Sequence, residues 1–106
     1  MISKHIEKDK DGFLVNLEDW SPTVAEELAQ AEDITLSPEH WEVLNALRDF
    51  YQEFDLSPAM RPLTRYLKIK LGPEKSTSIY LMTLFPGSPA KLTAKIAGLP
   101  RPENCL

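Results

Sequence analysis

Leu36-Ser37-Pro38-Glu39-His40-Trp41 spells out the start of a helix. Ser37 is a residue type that caps free backbone N–H groups, and Pro38 suits the first helical position, where its missing N–H is not needed. Glu39 then meets the positive end of the helix dipole, and Leu36, just outside, can staple onto Trp41 inside. From Trp41 onward Leu44, Leu47, Tyr51 and Phe54 recur at helical spacing with Val43 and Phe50 alongside. The segment is expected to run as one amphipathic helix to Phe54 and to serve as the central core helix. Its carboxylates Glu42, Asp49, Glu53 and Asp55 fall on other faces, where solvation accounts for them.

The serine-proline device recurs on both sides. Ser21-Pro22 opens a short helix carrying Val24 and Leu28 to about Ala31. Ser57-Pro58 opens another, with Leu63, Tyr66, Leu67 and Leu71 on its buried face and Gly72-Pro73 as its stop. Pro62 lacks an N–H that a helix begun at Pro58 requires, so the regular part is expected from about Arg61 or Pro62. Ser76 to Ser78 can cap a helix carrying Ile79, Tyr80, Met82, Leu84 and Phe85 up to Pro86. Ser88-Pro89 caps a last one from Ala90 to Ala97, closed by Gly98 in the left-handed position. Upstream, Ile2, His5-Ile6 and Phe13-Leu14-Val15 flank a polar stretch ending in Asp11-Gly12, the pattern of a β-hairpin over residues 2–16. The expected fold class is mainly α: a small bundle of about five short helices with an N-terminal β-hairpin and an extended C-terminal arm. Residues 1–97 form the domain and residues 98–106 a mobile arm, because Gly98, Pro100 and Pro102 cannot continue a helix.

A chain of 106 residues with 42% hydrophobic content supports one modest core. Its net charge of -4 is unevenly spread: residues 1–59 carry Lys4, Lys8, Lys10 and Arg48 against fourteen carboxylates, whereas residues 60–106 carry eight cations against Glu74 and Glu103. Such a split can steer an acidic partner toward the C-terminal face. With one cysteine there is no internal disulfide, and no signal segment or membrane-length apolar run is visible, so a reducing cytoplasm is the expected location.

That cysteine, Cys105, lies next to last on the proline-marked arm. A thiol in such a place has access to another protein, which is what sulfur reactivity requires. Other chemistry is thin. His5 and His40 lack metal-site spacing, the four glycines are isolated and make no phosphate-cradling loop, and the arm brings no base of its own, so no metal or cofactor is expected. Arg101 favours the Cys105 thiolate while Glu103 and the terminal carboxylate oppose it, so activation is expected only when the arm enters a partner. Lys91, Lys95 and Arg101 are the candidate docking contacts. Arg61, Arg65, Lys68 and Lys70 also allow a helix-turn-helix reading, but the overall acidity argues against stable DNA binding.

Gly87-Ser88-Pro89-Ala90-Lys91, then Lys95-Ile96-Ala97-Gly98-Leu99-Pro100-Arg101-Pro102 and Cys105, closely resemble the end of the DsrC/TusE family, whose members carry a penultimate cysteine on a mobile arm. Ser37-Pro38-Glu39-His40-Trp41, Arg48-Asp49-Phe50-Tyr51 with Phe54, Ser57-Pro58-Ala59 with Arg61, and Leu84-Phe85-Pro86 resemble its other blocks, so the likeness spans nearly the whole chain. The two-cysteine members, which act in dissimilatory sulfur metabolism, carry a second thiol where this chain has Ala94. The resemblance is therefore to the single-cysteine sulfur carriers. It implies a sulfurtransferase in which Cys105 accepts a persulfide sulfur from a TusBCD-type donor complex. The sulfur then passes to a tRNA 2-thiouridylase, with or without bound tRNA, for wobble-uridine thiolation. The alternative it leaves is a redox docking subunit in which Cys105 forms only mixed disulfides or a dimer.

Overall fold

The structure, a computed structural model, describes residues 6–102. Five helices follow one another: α1 (Pro22–Gln30), α2 (Pro38–Phe54), α3 (Met60–Leu71), α4 (Ser78–Leu84) and α5 (Pro89–Ile96). None is long and apolar enough to cross a membrane. Short 3-10 turns at Leu17–Asp19 and Pro73–Lys75 lead into α1 and out of α3.

The starts of α1 and α2 follow the expected chemistry: Ser21 accepts from the Val24 N–H, and Ser37 from the His40 N–H. At α2 the cap is reciprocal, because the Ser37 N–H donates to His40 Nδ1 at 3.1 Å. With Nδ1 accepting, Nε2 carries the proton and donates to the Leu84 carbonyl at 2.8 Å, tying the start of α2 to the end of α4. The imidazole stands edge-on to Phe85, with centroids 5.0 Å apart. The few polar groups of His40 are thus consumed by structure.

Three expectations are corrected. The N-terminal β-hairpin is not found among the described residues. Residues 1–5 lie outside the described residues, and residues 6–15 make a turn closed by a single antiparallel bridge, Lys8 to Leu14, with no strand among the described residues. The Asp9 carboxylate takes the N–H groups of Asp11 and Phe13, so the side chain supplies what a ladder would have supplied. Second, Ser57 does not cap α3, whose N-cap is Ala59 without a side-chain bond. Starting at Met60 places Pro62 third in the helix, where an N–H has no partner to lose. Third, the central position belongs to α5 and not to α2. Seven residues of α5 are buried, and α1, α2, α3 and α4 all pack on it. Its small residues Ala90 and Ala94 permit that close approach. The core around it includes Leu28, Val43, Leu44, Leu47, Leu63, Leu67, Leu81, Phe85 and Ile96, all at most 2% exposed.

Candidate functional site

Cys105 lies outside the described residues, so the site is defined by the ground it is tethered to, residues 96–102 at the end of α5. The helix closes with two bonds: the Gly98 N–H donates to the Lys95 carbonyl at 3.1 Å and the Leu99 N–H to the Ala94 carbonyl at 2.9 Å. This is a Schellman closure, which needs a left-handed residue, and Gly98 has φ 74. A side chain there would place its Cβ 2.6 Å from Trp20 Cγ, so glycine is demanded twice over. Leu99 then turns inward and is 3% exposed.

Two side chains from distant parts of the chain take the next carbonyls. Trp20 Nε1 donates to the Ile96 carbonyl at 2.9 Å, and Arg48 donates to the Ala97 carbonyl at 2.5 Å. The Arg48 guanidinium also lies 3.8 Å from the centroid of the Trp20 ring, so the two donors brace each other. Burial lowers the pKa of Arg48, and the carbonyl and the indole face are what offset that loss of water. Ser57, released from capping, donates to the Pro100 carbonyl at 2.6 Å.

Arg101 crosses to the N-terminal turn. It pairs with Asp11 and lies 3.6 Å from Asp9 Oδ2, with its guanidinium 5.1 Å from the Phe13 ring centroid. Burial acts to raise the Asp9 pKa, but the N–H groups of Phe13 and Asp11 and the Arg101 charge outweigh it and hold the carboxyl below its ordinary value. Lys95 points inward: it is 9% exposed, reaches Glu32 at 2.7 Å, and its ammonium lies 5.5 Å from the Phe13 ring centroid. Of the three cations expected at a docking surface, Lys95 and Arg101 therefore have internal partners. Lys91, one turn before Lys95 on the same face, is half-buried with no ion-pair partner among the described residues.

Sequence reasoning missed Trp20, Arg48, Asp9 and Asp11 as parts of this site and misread Ser57. One signal was present: Arg48 is the sole Lys or Arg between residues 11 and 60, a lone cation in an acidic stretch. The chemistry offered by the described residues is mechanical. No group of three His, Cys, Asp or Glu could hold a metal among them, and both ring nitrogens of His40 are occupied. Two surface depressions of about 220 and 430 Å³, beside Glu26, Gln30 and Ile34 and beside Arg65, Lys68 and Thr77, do not include the arm root. The arrangement fixes the position of residues 96–102, to which the cysteine-bearing residues 103–106 are joined.

Comparison with known proteins bears directly on that segment. A family model described as DsrC-like protein matches residues 1–106. The sulfurtransferase TusE of Escherichia coli strain K12 is 50% identical over 103 residues, covering 97% of this chain and 94% of the relative. The sulfurtransferase TusE of Buchnera aphidicola is 48% identical over 105 residues, covering 99% and 92%. The solution structure of DsrC from Allochromatium vinosum superposes with a TM-score of 0.88 at 45% identity, covering 97% of this chain and 92% of the other.

Proposed function

This chain belongs to the DsrC-like protein family, and from that membership we propose a mechanism in which Cys105 is the sulfur-carrying thiol and residues 96–102 are the fixed mount from which it works. The protein is a sulfurtransferase of the sulfur-relay type, a reading carried by one observation: near-full-length identity of about one half to the TusE sulfurtransferases. In the forward step the Cys105 thiolate attacks the terminal sulfur of a donor persulfide. The donor S–S bond breaks, its electron pair leaves on the donor thiolate, and the new S–S bond makes Cys105 a persulfide with no net oxidation. The second step repeats the exchange, with Cys105 as the leaving thiolate. A TusBCD-type complex is the donor, a tRNA 2-thiouridylase is the acceptor, and the relay runs in the cytoplasm, where thiols stay reduced.

The carboxylates at the arm root, Asp9 and Asp11, are engaged by Arg101, so activation of the thiol falls to the partner's cleft. Arg101 and Lys91 contact the partner, while Lys95, bound to Glu32, serves docking by holding the root in place. The test is intact-protein mass spectrometry after incubation with a sulfur-charged donor. Wild type gains one sulfur that a thiol reductant removes, and Cys105→Ser gains none while keeping its melting temperature. Equal sulfur on both proteins, or none on either, overturns the assignment of Cys105.

A further inference from the structure

We infer that the rim of the arm root, formed by Val15, Phe54 and Leu56, is the docking face for the sulfur donor, the protein whose cysteine persulfide loads Cys105; the inference rests on the relay reading above. Its starting point is the length of the tether. Three residue steps separate Pro102 from Cys105. At no more than about 3.6 Å per step, they keep the two Cα atoms within about 11 Å of each other. The root itself is held: Pro100 is bonded to Ser57, Arg101 to the N-terminal turn, and Pro102 is buried. A partner sulfur that bonds to Cys105 must come as close as the tether allows, so its protein covers the surface around the root.

That surface is apolar where a free surface need not be. Leu56, adjacent to the Ser57 anchor, is 48% exposed, and so is Phe54, two residues earlier. Phe54 is not loose, because its ring packs 4.5 Å from that of Phe50, which stands edge-on to Tyr66. An exposed aromatic already held in one orientation loses little freedom on binding, which is the character of an interface anchor. Val15, 56% exposed, follows two residues after Phe13, the ring on which Arg101 lies. The other large exposed apolar side chains, Ile69, Ile79 and Met82, belong to the far end of α3 and to α4. Ile69 lies nine residues along α3 from Met60, about 13.5 Å, and the end of α4 is tied to His40 at the start of α2, the opposite end of that helix from Phe54. The occupant that fits the rim is thus a protein with an apolar collar around a recessed cysteine.

The experiment follows loading of Cys105 by intact mass from two sources: a sulfur-charged TusBCD-type complex and the small donor glutathione persulfide. Wild type is compared with the paired Phe54→Ser and Leu56→Ser variant, with Val15→Ser, and with Ile79→Ser as the distant control. Leu56→Lys alone, in the loop beyond α2, repeats the test without disturbing the Phe50 contact. The pair is expected to raise KM for the protein donor by about 10-fold or more, as loss of an interface anchor does. Loading from glutathione persulfide and the behaviour of Ile79→Ser stay as in wild type. Unchanged KM overturns the inference, and so does an equal loss with the small donor, because the rim then acts on the thiol and not on docking. A wild-type dimer in sedimentation that these variants dissolve, with loading intact, assigns the face to a second copy and also overturns it. Wild type taking sulfur from neither donor overturns the relay reading and the rim with it, whereas loading intact in every variant overturns the rim alone.

Discussion

The two ends of α5 are built differently. At its start Ser88 makes no side-chain cap, the preceding Pro86 and Gly87 are exposed, and the Gly87 N–H reaches only the Met82 sulfur at 3.2 Å. At its end the carbonyls of Ala94, Lys95, Ile96 and Ala97 all have donors, two of them supplied by Trp20 and Arg48 from other parts of the fold. The polar groups of the free protein are concentrated where the chain passes into the arm and not where it enters the helix. The relay proposed for Cys105 would gain from a fixed mount, since every residue ordered beforehand lowers the entropy cost of docking.

Substitutions at the two ends should separate accordingly. Gly98→Ala combines a left-handed backbone with a clash against Trp20, and is expected to destabilise by about 3 kcal/mol in chemical denaturation. Trp20→Phe and Arg48→Met each leave a carbonyl without its donor, for about 1–2 kcal/mol apiece. Because the two side chains stack, the double variant should lose less than the sum, and strict additivity in the cycle would show that they do not brace each other. The N-terminal turn should respond to acid. The Asp9 carboxylate has a folded pKa below the ordinary aspartate value, so its contribution is fully present above that value and is lost as pH falls through the folded pKa. The Phe13 amide and the Arg101 side-chain signals in NMR should therefore hold steady from pH 5 to 8 and move together below about pH 4. Smallest of all, Ser88→Ala should change stability by less than about 0.5 kcal/mol. A larger loss would erase the contrast between the ends.

The helices were legible because their boundaries are chemical and local: Ser21-Pro22 and Ser37-Pro38 act within four residues, and Gly98 does so as a stop. What escaped was set by distance in sequence. Ser57 reads as a cap from its neighbours, and only the fold brings Pro100, 43 residues away, to its hydroxyl. Lys95 reads as a surface cation, and its burial depends on Glu32, 63 residues away, and on α5 being enclosed by the other four helices. In place of the expected strands, the described residues 6–15 hold a turn in which the Asp9 carboxylate takes the Asp11 and Phe13 N–H groups, a side-chain role that pattern reading does not weigh. The proposal for Cys105 draws on its placement in the sequence, whereas the mount was not legible there, because Trp20 and Ile96 are 76 positions apart.

The pairing of Trp20 with Arg48 also makes the carrier its own optical gauge. The indole sits 3.8 Å from a guanidinium and is hydrogen-bonded to the last turn before the arm. Its emission is therefore coupled to the segment on which the proposed partner would act. In a Trp41→Phe background, the remaining tryptophan is expected to change its emission when a sulfur-charged donor is added, if the proposed docking at the end of α5 takes place, without any label on the thiol.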